Sequence, residues 1–445
     1  MHTLEQLQSG ALAGAVRLQL SCGLTAFPRE IFDLADTLEI LDLSGNALSA
    51  LPDDLPRLTR LRVLFCSQNR FTVLPPVLGA CAGLTMIGFK SNRISVVPAD
   101  ALPPSLRWLI LTDNRLEVLP ASIGRCAQLQ KLMLAGNRLS TLPEALADCT
   151  NLELLRIAAN RLTVLPPWLL GMPKLAWLAY AGNPFTAADE AAAAADAHPA
   201  RIGWQQLTID RKLGEGASGI IHQALLRQAE RDGTAVAVKL FKGAITSDGL
   251  PGCELAACIG AGSHPNLIPV LGEVDDHPDG IHGCVMALVD PAFHNLAGPP
   301  SLASCTRDVY PETTRFPLQG LLRLARGIAA VAQHLHGRGI LHGDLYAHNI
   351  LHTEGGDALL GDFGAASRFV PHGAAAQALQ RLEVRAFGLL LGELMARCET
   401  ADATREVLAS LSTLQHDCTH PDPGARPLFD AVVQRLPAPS DGAGA

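Results

Sequence analysis

Apolar residues in the first half of the chain follow two superimposed periods. Over a few residues they alternate, as in Leu38-Glu39-Ile40-Leu41-Asp42-Leu43-Ser44-Gly45-Asn46-Ala47-Leu48, and alternation predicts a short strand with its leucines turned inward. The whole frame returns at steps of 22 or 23 residues, marked by Asn46, Asn69, Asn92, Asn114, Asn137, Asn160 and Asn183. A Leu-Pro pair often closes it: Leu51-Pro52, Leu74-Pro75, Leu119-Pro120, Leu142-Pro143 and Leu165-Pro166. One such unit cannot bury its own leucines, so the units are expected to stack, with their parallel strands lining a concave face. The recurring asparagine amide is expected to satisfy backbone groups where the chain turns off each strand. Residues 15–37 look like a degenerate first unit, with Cys22 where the asparagine would stand. The alanine-rich stretch 187–197 predicts a closing helix.

The pattern then changes. Residues 198–206 are not rich in glycine or serine and predict a short, stiff connection. Leu207-Thr208-Ile209-Asp210-Arg211-Lys212-Leu213 reads as a strand that runs into Gly214-Glu215-Gly216-Ala217-Ser218-Gly219-Ile220-Ile221. A second strand, not a helix, follows, and Val236-Ala237-Val238-Lys239 reads as a third. Glu254 falls on a predicted helix, and residues 318–338 carry helical periodicity through Leu318, Leu321, Leu322, Leu324, Ala325 and Ile328. That helix leads into His342-Gly343-Asp344-Leu345-Tyr346-Ala347-His348-Asn349, and Asp362-Phe363-Gly364 comes after it.

At 445 residues the chain is long enough for two or three domains. Its few aromatics suit a Leu/Ala-rich helical or solenoid fold better than a β-sandwich. The net charge of −8 lies wholly in residues 204–445, because residues 1–203 balance 17 basic against 17 acidic side chains. No basic stripe appears, which argues against nucleic acid as a partner. The eleven cysteines lack paired spacing, and Cys126 and Cys149 recur at one place in successive units, as small buried apolar residues would. No basic region followed by an apolar run opens the chain, and no stretch is long and apolar enough to span a bilayer, so a reducing cytoplasm is the expected setting.

On each short strand the residues between the buried leucines should face out of the concave sheet. They are Ile40, Asp42, Val63, Phe65, Met86, Gly88, Lys90, Trp108, Ile110, Met133, Leu154, Arg156 and Trp177. Many are large and apolar, which on an exposed curved surface suggests a binding site for a protein or peptide. Phe65, Met86, Trp108, Ile110, Met133 and Trp177 are the expected contact residues. The other reading is that the protein's own segments cover part of this face.

The phased asparagines and closing Leu-Pro pairs resemble the leucine-rich repeat family, of the short Leu-Pro type, over residues 15–185. The order of motifs in the second half resembles that of protein kinases over residues 205–436. The fold class implied is an α/β leucine-rich repeat solenoid followed by an α+β two-lobed protein kinase fold. An N-terminal segment (1–14), a closing helix and linker (186–204) and a disordered tail (437–445) complete the expected organisation. The resemblance implies ATP and magnesium as cofactors. It implies ATP binding by Leu213, Gly214, Glu215, Gly216, Ala217, Ser218, Gly219, Ile220 and Ile221, where glycines let the backbone approach phosphate oxygens. Lys239 and its ion-pair partner Glu254 would sit on the phosphates, and Ala287 and Leu288 at the adenine. Asp344 would orient the acceptor hydroxyl, and Asn349 and Asp362 would hold magnesium. His342 would pack under Phe363. Asp422-Pro423-Gly424-Ala425-Arg426-Pro427 resembles a late kinase element.

Several positions depart from that family. Gly343 stands where many kinases carry the arginine that pairs with a phosphate on the activation segment. Only 21 positions separate Asp362 from Glu383, at the start of what resembles the central buried helix, with Ser367 the one hydroxyl among them. Control by activation-segment phosphorylation is therefore not expected. Arg426 lacks its family partner, for which Glu383 is a candidate. Tyr346 sits where serine/threonine kinases have lysine, and His348 where many tyrosine kinases have arginine. A neutral histidine there predicts slow turnover. The leading expectation is a protein kinase, serine/threonine favoured over tyrosine, whose repeats select a partner. The rivals are a pseudokinase scaffold acting through protein contacts and a kinase for a small molecule.

Overall fold

Alternating leucines on a fixed repeat give a ladder of very short strands. The computed structural model describes residues 2–196, 200–216, 218–228, 231–243, 245–246, 248–399 and 405–438. After a one-turn helix α1 (Leu4–Gln8) come β1 (Arg17–Gln19), β2 (Ile40–Asp42), β3 (Val63–Phe65), β4 (Met86–Gly88), β5 (Trp108–Ile110), β6 (Lys131–Met133) and β7 (Leu154–Arg156). They pair in parallel and in chain order, each repeat in register with the last. The central residue of each, such as Leu41, Leu64, Leu109 and Leu132, is completely buried. The chain returns through short 3-10 helices such as Ala121–Arg125 and Glu144–Asp148, each opening on the proline of a Leu-Pro pair. Proline has no N–H to leave unpaired there, and its φ is already set.

The asparagines close the accounting of buried backbone groups. Asn114 donates its amide to the carbonyls of Phe89 (2.9 Å), Leu111 (3.0 Å) and Thr112 (3.2 Å), and accepts the Ile94 N–H at 2.9 Å. Asn69, Asn92, Asn137 and Asn160 repeat the arrangement. Cys126 and Cys149 are buried as expected, and burial pushes their thiols up to about 11 and about 12.

By contact the chain divides into two compact units, Met1–Lys174 with Asn183–Phe185, and Leu175–Gly182 with Thr186–Ala445. By contact, one segment ahead of residue 185 goes with the second unit. Strand β8 (Trp177–Ala179) follows the repeat frame in sequence but belongs to the second unit. The expected concave face needs correction. Phe65, Trp108, Ile110 and Met133 are partly exposed, but Met86 is only 2% and Trp177 only 2% exposed. Met86 is flanked by Val63 and Trp108 in the ladder register, and Trp177 is covered inside the second unit. Leu154 and Arg156 are buried as well. Lys131, absent from the expected face, stands in the same row with its ammonium 4.3 Å from the Trp108 ring centre.

The second unit continues with α2 (Ala187–Asp196), the expected closing helix; Ala197 lies outside the described residues, as do residues 439–445 of the expected tail. The connection does more than link. Its residues Arg201–Gly203 form β9, which pairs in parallel with β13 (Val270–Asp275) and buries Ile202 against Val274. Strands β10 (Leu207–Glu215), β11 (Gly219–Gln228), β12 (Arg231–Phe241) and β14 (Gly283–Ala287) complete a six-stranded sheet in the order β10-β11-β12-β14-β13-β9. Helix α3 (Pro251–Ala261) carries Glu254. The remainder is mainly helical: α4 (Leu318–Gly337), α5 (Ala376–Met395), α6 (Arg405–Cys418) and α7 (Phe429–Arg435). Short pairings join β15 (His294–Asn295), β17 (Ile350–His352) and β18 (Ala358–Leu360), and β16 (Ile340–Leu341) with β19 (Ser367–Arg368). Among the described residues no helix is long and apolar enough to cross a membrane.

Removing one rung of the amide ladder should cost far more than removing a surface amide. Asn114→Ala leaves the buried Ile94 N–H unpaired and takes one of two donors from the carbonyls of Phe89, Leu111 and Thr112, and is expected to lower the stability of the repeat unit by about 2 kcal/mol. Asn151→Ala, at an exposed hydrogen bond to Ala127, should change it by less than about 0.5 kcal/mol. Urea unfolding of the two variants checks the contrast, and equal shifts would refute it.

Candidate active site

Strands β10 and β11 form a hairpin around the glycine-rich stretch, with Gly214 opposite Ile221 and Glu215 opposite Ile220. The Gly216 N–H donates to the Gly219 carbonyl at 2.9 Å; Ala217 lies outside the described residues. A Cβ on Gly219 would fall 2.6 Å from the Leu240 carbonyl oxygen, so only glycine lets the hairpin close onto β12. Ser218 is buried, while Leu213 is exposed near the end of β10. Glu215 pairs with Lys212 and Lys242, whose hydrogen bonds hold its carboxyl down at about 2.

Behind the hairpin, the alternation of β12 turns Lys239 inward. Its ammonium pairs with Glu254 on α3 and lies 3.3 Å from Asp362 Oδ1. Burial opposes the Lys239 charge, yet Asp362 and Glu254 outweigh it and hold the ammonium above the ordinary lysine range. Asp362 adopts a left-handed φ of 52°, and its Oδ1 also accepts the Gly364 N–H at 3.2 Å. Non-glycine residues reach this region at a cost that the surroundings must cover. A cleft open to solvent runs beside these groups. Gly216, Ser218, Gly219, Ile221, Lys239, Glu254 and Asp362 line it. Ala287 and Leu288 lie outside that lining, and the Ala287 N–H is already taken by the Pro269 carbonyl at 2.9 Å.

The loop between β16 and β17 carries the other expected residues. Asn349 donates from Nδ2 to Asp344 Oδ2 (2.8 Å) and to the Asp344 carbonyl (2.9 Å), so acid and amide are locked together. His342 packs on Phe363 with ring centres 5.1 Å apart, and its Nε2 lies 3.0 Å from the Gly361 carbonyl. Glu383 anchors the loop. Its carboxylate accepts the Gly343 N–H at 2.7 Å, the His342 N–H at 3.3 Å and the His336 ring at 2.7 Å. The structure gives Glu383 a role other than the suggested one, as anchor of the loop. Both Glu383 oxygens are engaged by the loop and His336, and Arg426 donates to the His420 and Arg381 carbonyls. Burial opposes the Glu383 charge, but His336, His342 and the Gly343 N–H win and lower its pKa below the ordinary glutamate value.

Sequence reasoning missed Asp308. It lies 40 residues before His348 in a loop, where an isolated acid gives no signal. Its buried carboxylate contacts His348 Nδ1 at 2.7 Å and accepts the His348 N–H at 3.1 Å. Burial disfavours the imidazolium, yet the Asp308 hydrogen bond and the charges of Asp344, Asp308 and Asp362 raise its pKa. The shift runs toward the charged form of the ring, which the expected neutral histidine did not take into account. Ser367 is 1% exposed, and its hydroxyl accepts the Tyr180 N–H at 2.9 Å.

Residues 207–385 match the family described as protein tyrosine and serine/threonine kinases, and residues 37–58 and 104–162 match leucine-rich repeat families. The tyrosine-protein kinase receptor TYRO3 of Gallus gallus is 26% identical over 52% of this chain and 31% of its own length. The megakaryocyte-associated tyrosine-protein kinase of Mus musculus is 27% identical over 56% of this chain and 52% of its own. A probable LRR receptor-like serine/threonine-protein kinase of Arabidopsis thaliana is 30% identical over 37% of this chain and 27% of its own. The chain thus spans about half or less of the length of these relatives.

The Glu383 anchor makes a pH prediction. Its folded pKa is depressed, so its contribution to stability is complete above the unfolded glutamate value of about 4.3 and fades as pH falls further through the folded value. Glu383→Gln removes that titration. The variant's stability should fall less steeply than the parent's below about pH 4.3. Parallel acid limbs in urea titrations of the two proteins would disprove the assignment.

Proposed function

Because this chain joins leucine-rich repeats to a protein kinase domain, we propose that it transfers the γ-phosphate of ATP to a protein hydroxyl, with serine or threonine favoured over tyrosine. The supporting observation is convergence. Lys239 reaches Glu254 and Asp362 together, and the Asp344–Asn349 pair sits on a loop clamped by Glu383. In this reading the buried ammonium of Lys239 holds the nucleotide's phosphates, and Glu254 keeps it aimed. Asp344 accepts or orients the proton of the incoming hydroxyl, while Asn349 Nδ2 fixes which way its carboxylate points.

The donor set fits magnesium. Asp362 offers a carboxylate that is 45% exposed, and Asn349 an amide oxygen, both hard ligands. Among the described residues no group of three or more His, Cys, Asp or Glu side chains could hold a metal ion. The nucleotide's phosphates would therefore complete the shell. Bound there, magnesium supplies charge neutralisation to the phosphates. His348 stands on the same loop, its Nδ1 held 2.7 Å from Asp308 Oδ1.

The test is transfer of label from ATP with magnesium to serine-, threonine- and tyrosine-containing peptides. Asp344→Asn should lower kcat by about 10²–10⁴-fold while ATP still binds. ATP binding with no transfer by the unmodified chain would favour the scaffold reading instead. The repeat face is proposed to hold a protein partner through the partly exposed Phe65, Trp108, Ile110 and Met133. Trp108→Glu should then abolish capture of the protein that the unmodified chain retains, and undiminished capture would dismiss that surface.

A further inference from the structure

Residues Leu175–Gly182 carry the leucine spacing of the repeats, yet they are built into the second unit. Besides Arg307 over the Trp177 ring, Glu190 at the Gly182 N–H and helix α5, their contacts include two places: the loop that holds Asp344, and the strand that follows Asp362-Phe363-Gly364. Trp177 stacks on Tyr346 with ring centres 4.1 Å apart and planes 7° from parallel. Its indole N–H donates to the Leu345 carbonyl at 3.1 Å, one residue past Asp344. Three residues on, the Tyr180 N–H donates to Ser367 Oγ at 2.9 Å and the Tyr180 hydroxyl donates to the Arg368 carbonyl at 3.1 Å. Ser367 and Arg368 form β19, which pairs with β16 directly ahead of the loop.

Gly343 belongs to the same arrangement. It has a φ of 74°, and a Cβ there would lie 2.5 Å from the Ala365 carbonyl oxygen and 2.8 Å from that of Leu178. Both obstacles are backbone, so no side chain fits. The position that elsewhere carries an arginine for an activation-segment phosphate is here closed over by main chain. The contacts are also sealed from water: Trp177, Tyr180 and Ser367 are each no more than 2% exposed. They go to carbonyls, a hydroxyl and a ring, whereas the carboxylates of Asp344 and Asp362 engage Asn349 and Lys239. The segment holds the loop from the side and leaves the phosphate-facing groups to each other.

We propose that Trp177 and Tyr180 are positioning residues for phosphoryl transfer, and that the strand Trp177–Ala179 braces the Asp344 loop and the β19 segment in place of a phosphorylated activation segment. The proposal rests on the kinase reading above for its catalytic consequence, but not for its structural one. Bracing makes the loop competent without any modification. It also makes the second unit incomplete when cut at the start of β10, since its positioning strand lies some thirty residues earlier, about the separation of Ala179 from Leu207.

Full-length Trp177→Ala, Trp177→Phe and Tyr180→Phe are compared with the unmodified chain by hydrogen exchange and by turnover. Trp177→Ala should speed exchange of the amides of residues 343–349 and 365–368 by about tenfold or more while those of β11 and β12 stay unchanged. Its kcat should fall by about ten- to a hundredfold with KM for ATP within about twofold, because positioning is lost and nucleotide contacts are not. Trp177→Phe keeps the ring and should recover most of the loss. Tyr180→Phe should speed exchange at residues 365–368 alone. If Trp177→Ala does not fold, Tyr180→Phe decides, through exchange at residues 365–368, where no change overturns the proposal. Unchanged exchange at the loop overturns the proposal, and so does a rise in kcat, which would make the segment a block. If the unmodified chain transfers no phosphate, the kinase reading fails while the exchange arm still judges the bracing.

Discussion

The carboxylate of Glu383 is the constraint that the site depends on. It is buried in helix α5, where a charge is tolerated only if it is paired and hydrogen-bonded. Three donors meet that demand, and two of them are the consecutive amides of His342 and Gly343. The loop that presents Asp344 therefore cannot shift without stranding a charge in the core. The neighbours of Glu383 on α5, from Leu382 to Gly388, are buried as well, so the loop's position is tied to hydrophobic packing. Asn349 then transmits the placement from backbone to side chain through its paired hydrogen bonds to Asp344.

A second charge arrangement couples the sheet to the loop. Lys239 on β12 is attracted to one carboxylate on α3 and another in the turn after β18. Either carboxylate alone would set a distance; both together fix the helix, the strand and the turn at one point. The left-handed φ of Asp362 fits this picture, because the ammonium and the Gly364 N–H both draw on its Oδ1. Buried ion pairs of this sort often add little net stability, since desolvation offsets attraction. Their value here lies in geometry, which phosphoryl transfer needs most.

The repeats were the most legible part of the chain. Their period, their inward leucines and the role of the asparagine amides follow from the spacing, because each repeat repeats the same local demand. Lys239, Glu254, Asp344, Asn349 and Asp362 could be singled out because each stands in a short motif, and motif order carried the inference. Asp308 and the true role of Glu383 could not be read, since their partners lie 40 or more residues away and no local pattern marks either contact. The concave face was legible only in part. Alternation tells which side of a strand a residue occupies, but not what later folds against it. Trp177 shows the limit: its place in the repeat frame is correct, and its surroundings belong to the other unit.

The departures from the kinase pattern make sense as one physical change. A short stretch between Asp362 and Glu383 leaves little chain to cover the Asp344 loop, and an uncovered loop carrying Tyr346 would expose a large ring and several backbone carbonyls. Trp177 covers the ring and Leu345 gains a donor. For the covering strand to approach, the residue after His342 must have no side chain, and Gly343 has none. For β19 to be held, its hydroxyl must face inward, and Ser367 does so, out of reach of modification. An arginine at 343 would obstruct the strand, and a phosphate at 367 would bury a dianion. The missing cation and the unavailable hydroxyl are thus not two losses of function but two requirements of a single packed contact, met at the same time.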